Sequence, residues 1–108
     1  MASTRVIRFA DASEEPEAPG IASRAVEVGG VRWALVTYQP GVLRQEWCDE
    51  GHSGYVLEGA IEYEFGDATN PLTLKAGDGF TLAAGTPEHR GRAIGDGPTR
   101  LFLIDREA

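Results

Sequence analysis

Apolar residues recur at every second position over short stretches of this chain, and each stretch ends at Gly, Pro, Asn or Asp. Ile61, Tyr63 and Phe65 alternate with Glu62 and Glu64, the pattern of a strand with one buried and one solvated face. No stretch of ten or more residues carries the 3.6-residue apolar rhythm of an amphipathic helix. The alternation predicts strands over 4–10, 22–28, 31–39, 42–48, 54–57, 60–65, 72–75, 80–83, 89–94 and 99–105. Gly29-Gly30 suits a two-residue hairpin, and Glu58-Gly59 reads as another tight turn. Residues 11–20 are acidic, twice interrupted by proline and without an apolar anchor, so they read as a surface loop between two strands. About ten short strands punctuated by turn residues predict an all-β sandwich or barrel.

Composition narrows the function classes. The 108 residues support a single domain, 1–108, with 1–30 as N-terminal strands and an acidic loop ahead of the core. Ten Lys and Arg stand against 17 Asp and Glu, a net charge of −7, which argues against nucleic acid and against an anionic membrane surface as partners. The one cysteine, Cys48, removes any internal disulfide framework. There is no apolar run near the roughly 20 residues a membrane span needs, and MASTRVIRF lacks the apolar core of a signal peptide. The expectation is a soluble, cytoplasmic domain.

Candidate chemistry gathers in Val42–His52, VLRQEWCDEGH. On a strand, Arg44, Glu46 and Cys48 share one face, and His52 follows across a short loop. Trp47 falls on the other face and, with Trp33, is expected to point away from any pocket. His89 opens a later strand after Gly85-Thr86-Pro87. A carboxylate, a thiol and two imidazoles are all competent metal ligands. The bland alternatives stay open: an Arg44–Glu46 ion pair, Glu62 and Glu64 as a solvated face, Glu14–Glu17 likewise, and Cys48 as a small buried hydrophobe. A Cys48–His52 nucleophile pair lacks an identifiable third group to orient the imidazole.

Three segments carry a family resemblance: Tyr55-Val56-Leu57-Glu58-Gly59, Lys75-Ala76-Gly77-Asp78-Gly79-Phe80 and Ala83-Ala84-Gly85-Thr86-Pro87-Glu88-His89. In order and separation they resemble the two motifs of the cupin superfamily, over about residues 31–105. The resemblance implies a small, single-domain jelly-roll barrel of antiparallel strands, commonly dimeric, so a homodimer is expected. It also implies a divalent-metal site. The family's H-x-H pair falls on Glu46 and Cys48, its Glu on His52, and its second-motif His on His89. That His lies one residue further from Gly85 than usual, and the usual proline is Ala83. Three of the four positions are altered in kind, yet all four keep a side chain able to coordinate. One thiolate, two imidazoles and one carboxylate favour Zn, with Fe, Ni or Mn as alternatives. The implied function is metal-assisted binding or transformation of a small molecule, with the metal polarising a ligand oxygen and Arg44 holding an anionic group. A metal-free binding or sensing module and a thiol-dependent role for Cys48 are the competing readings, because fold does not fix function.

Overall fold

The computed structural model describes residues 4–106. Among them lie nine strands: β1 (Glu15–Ala18), β2 (Ile21–Val28), β3 (Val31–Tyr38), β4 (Gly51–Glu58), β5 (Ala60–Phe65), β6 (Leu72–Lys75), β7 (Gly79–Leu82), β8 (His89–Ala93) and β9 (Thr99–Arg106). Six form one sheet in the order β1-β2-β3-β9-β4-β7, and three form a second in the order β6-β5-β8. Every pairing is antiparallel. The alternation read from the sequence turns Val36, Tyr38, Val56, Leu101 and Leu103 of the large sheet inward, against Ile61, Tyr63, Leu74 and Ala93 of the small one. The result is an all-β jelly-roll barrel.

The turns follow from their glycines. Gly29 and Gly30 both have positive φ, 58° and 80°, and place Val28 opposite Val31, as a two-residue hairpin requires. Glu58-Gly59 carries the chain from the large sheet to the small one. A Cβ at Gly59 would lie 2.7 Å from both the Pro98 carbonyl and Thr99 Oγ1. The corner is that tight because buried Thr99 clips it, its hydroxyl donating to the Ala60 carbonyl at 2.8 Å.

Three expected elements differ. Residues 4–10 form no strand; a 3-10 turn, Phe9–Asp11, sits there, and Phe9 packs edge-on against Phe102 of β9 at 6.0 Å. Within the expected loop 11–20, Glu15–Ala18 pairs with β2 as an edge strand. Proline is compatible with an edge, and Glu15 and Pro16 face solvent there, so acidity and prolines were poor guides to pairing. Residues 42–48 are not a strand. Bridges at Leu43–Arg92 and Cys48–His89 set five steps of this segment against three of β8, so the intervening residues bulge outward.

The Gly59 corner yields an expected outcome in urea denaturation. Gly59→Ala should lose about 2 kcal/mol or more, since it combines backbone strain with the close approach. Gly77→Ala, at φ 98° with nothing within 4 Å, should lose about 1 kcal/mol from strain alone. Equal losses would show that the corner is looser than this geometry.

Candidate functional site

The site is assembled across both sheets. Cys48 and His89 form a narrow antiparallel pair, each backbone N–H donating to the other's carbonyl, at 2.8 and 2.9 Å. Directly opposed residues in such a pair project to the same side. His52, on β4, is brought in from the large sheet, and its ring meets that of His89 edge-on at 5.3 Å. One donor atom each from Cys48, His52 and His89 lies within 4.8 Å of the others. Cys48 Sγ is 3.5 Å from His52 Nε2.

The other nitrogen of His52 is committed. Register places His52 opposite Asp105 on β9, and Nδ1 lies 2.9 Å from Asp105 Oδ1. A proton on Nδ1 serves that bond and leaves the Nε2 lone pair facing Cys48. His89 is 2% exposed, and its Nε2 has no hydrogen-bond partner among the described residues. Burial, helped by nearby His52, lowers the His89 pKa to about 4, so the ring is neutral at pH 7. Burial also pushes the Cys48 thiol up. The site thus presents the neutral His89 imidazole and a protonated thiol beside the His52 ring.

The three residues line a cavity of about 320 Å³. Arg44 is part of its wall, with Nη2 donating to Glu17 Oε1 at 2.8 Å and Nε to Tyr38 Oη at 3.4 Å. Arg32 donates to the other Glu17 oxygen at 2.8 Å and approaches Asp105 Oδ2 at 3.9 Å. Burial raises the Glu17 carboxyl pKa, but hydrogen bonds from Ser23, Arg32 and Arg44 outweigh it, and the net shift is downward. Glu46, expected beside Cys48 as a ligand, lies exposed on the bulge at the cavity's edge and outside the three-residue group. The five-against-three mismatch breaks the alternation that would have aligned Glu46 with Cys48. The Arg44–Glu46 pairing does not form either, because Arg44 turns to Glu17. Trp47, expected to face away, lines the cavity under the Arg90 guanidinium at 4.2 Å, while Arg90 also pairs with Glu64 of β5.

Sequence reasoning missed Asp105, the third group that orients His52, and Glu17. Asp105 was readable only through the β4–β9 register. Glu17 sat within a stretch that reads as solvated charge, and nothing in its spacing distinguished it from Glu14 or Glu15.

Comparisons with known proteins agree with this architecture. A family model described as a cupin domain matches residues 34–105. No curated protein sequence matches the chain. Among solved structures, KdgF from Halomonas sp. superposes with a TM-score of 0.74 at 18% identity, covering 98% of this chain and 96% of that one. A protein of unknown function from Rhizobium leguminosarum gives 0.77 at 21% identity, covering 98% and 99%. Bacillus subtilis oxalate decarboxylase, studied for its Mn(II) centres, gives 0.73 at 21%, covering 96% of this chain and only 31% of that protein. At these identities the likeness is one of fold.

The neutral, buried His89 has a consequence for stability in metal-free protein. Its folded pKa, about 4, lies below the ordinary 6.5, so between these values the unfolded chain binds the extra proton. Stability should therefore fall as pH drops from 6.5 toward 4, by at most roughly 3 kcal/mol from this group. Replacing His89 with Gln should flatten the melting temperature across that window. An unchanged slope in the variant would assign the acid lability to carboxylates such as Glu17.

Proposed function

The chain belongs to the cupin family, and on that premise we propose that it holds a divalent metal ion between Cys48, His52 and His89 and binds or transforms a small molecule in the cavity they line. The observation that carries this reading is the convergence of one donor atom each from Cys48, His52 and His89 within 4.8 Å of one another, around a cavity that all three line. Two donors of a tetrahedral zinc lie roughly 3.5 Å apart, which is the Cys48–His52 separation of 3.5 Å. The donor set therefore fits, and its thiol favours zinc over manganese. Glu46 would serve at most from the cavity's edge. Three protein donors with an open fourth position is the pattern of a catalytic site and not of a structural one. Such an ion supplies Lewis-acid polarisation of a ligand oxygen. The chain's own residues would do the rest: Asp105 fixes the proton of His52, Arg44 holds an anionic group, and Trp47 closes one wall.

A second reading rests on the Cys48–His52–Asp105 chain, with separations of 3.5 and 2.9 Å. Thiol, imidazole and carboxylate follow one another as in a nucleophile with an oriented base. The raised thiol pKa weighs against it, since an inactive thiol is the expected state without a metal. We infer further that the chain acts as one cytoplasmic domain and pairs with a second copy through the outer face of its large sheet, where Tyr55 remains 45% exposed beside Phe102.

Elemental analysis of purified protein offered Zn, Fe, Mn and Ni, beside the alkylation rate of Cys48, tests the metal. About one ion per chain and a protected thiol are expected. His52→Ala and His89→Ala should lose the ion and expose Cys48, whereas Glu46→Ala should retain both properties. Asp105→Asn should weaken zinc roughly 10- to 100-fold, because the ring loses its fixed orientation. Protein that takes up none of the four metals would decide for a metal-free binding module.

A further inference from the structure

The placement of Glu17 points to the class of ligand. One carboxylate is gripped by two guanidinium groups, Oε1 by Arg44 and Oε2 by Arg32, each at 2.8 Å. All three side chains line the cavity of the Cys48, His52 and His89 group. The separation is small in chemical terms: Arg32 reaches Asp105, and Asp105 holds His52. Two guanidiniums sharing one carboxylate beside a ligand group is an arrangement for recognising an acid.

Glu17 is also poorly anchored by its backbone. It lies on β1, a four-residue edge strand, and the β1–β2 register breaks between Pro16 and Ala18, on either side of Glu17. Short edge strands with a broken register belong to the low-stability end of a fold. A second cavity, of about 420 Å³, adjoins the first, and Glu17, Arg44 and Glu46 line both. The Glu17–Arg44 pair thus sits where the two cavities meet.

We propose that Arg32 and Arg44 are a carboxylate-binding site for the cavity's ligand, occupied in the free protein by the chain's own Glu17, which the ligand displaces. The ligand is a small carboxylic acid bearing a second oxygen function, such as an oxo- or hydroxyacid. Its carboxylate takes the two arginines and its other oxygen faces Cys48, His52 and His89. The second half of this assignment rests on the proposed metal reading; the arginine site does not.

The test uses pyruvate as probe and pyruvamide as its uncharged counterpart. Isothermal titration calorimetry is run on the full chain, both chelator-treated and zinc-loaded. An internal occupant that holds the site nine-tenths of the time weakens a competitor about tenfold. Glu17→Gln should therefore bind pyruvate about tenfold tighter than the parent in both preparations, with no gain for pyruvamide. Adding Arg44→Gln should erase the gain. Further tightening by zinc reports on the metal reading alone, so failure there leaves the arginine site standing. Equal pyruvate affinity in parent and Glu17→Gln, or an equal gain for pyruvamide, overturns the proposal and makes Glu17 a strand anchor. Should Glu17→Gln fail to fold, hydrogen exchange on the parent decides. Saturating pyruvate should accelerate exchange of the β1–β2 amides severalfold, and unchanged exchange overturns displacement.

Discussion

The site depends on the pair of backbone hydrogen bonds between Cys48 and His89. They tie an irregular segment of the β3–β4 connection to the first residue of β8, and so close the end of the barrel. The other end of the segment is held to β8 as well, the Arg44 N–H donating to the Gly91 carbonyl at 3.0 Å and the Ala93 N–H to the Val42 carbonyl at 2.9 Å, while the Cys48–His89 bonds set the direction of Cys48. The Gly85 N–H donates to the Asp49 carbonyl at 2.7 Å and fastens the same connection to the turn that delivers His89. Side-chain chemistry here is a product of main-chain pairing. Two donors come from a cross-strand pair and the third from the facing sheet, so their mutual distances are fixed by the barrel itself.

That dependence explains what could be read in advance. Strands β2, β3, β5 and β6 were legible, because their alternation and bounding turns are local properties. Ile61 and Tyr63 are buried as their spacing implies. Cys48, His52 and His89 were identifiable through the family motifs, which encode the fold's long-range geometry in short stretches. Glu46, at a family ligand position, lies instead on the rim of the cavity and outside the three-residue group, because the alternation that would align it with Cys48 does not carry across a segment that bulges. Asp105 and Glu17 were invisible for a related reason. Their importance lies in partners 53 and 27 residues away, His52 and Arg44, and no local pattern reports such distances.

The chain is acidic overall, yet three arginines line the cavity of the Cys48, His52 and His89 group. Each has a carboxylate partner: Glu17 for Arg32 and Arg44, Glu64 for Arg90. Arg44 is partly buried, and Tyr38 and Glu17 offset the burial that would otherwise oppose its charge. Such pairs contribute little to net stability, since desolvation cancels most of their attraction. Their effect is on direction. They set which way guanidinium donors face and where a negative group is tolerated.

The bulge between Leu43 and Cys48 separates two kinds of position. Cys48, His52 and His89 occupy ladder sites where a change of backbone geometry would be felt by both sheets. Gln45, Glu46 and Trp47 lie on the bulge, where five steps against three leave two residues in surplus; all three are exposed and outside any strand, and Glu46 and Trp47 line the cavity. Residues there can be exchanged, or one more inserted, without disturbing any ladder register. The barrel is thereby divided into a fixed workbench and a replaceable rim, so new selectivity is open to change in three neighbouring codons while the donor group stays as it is.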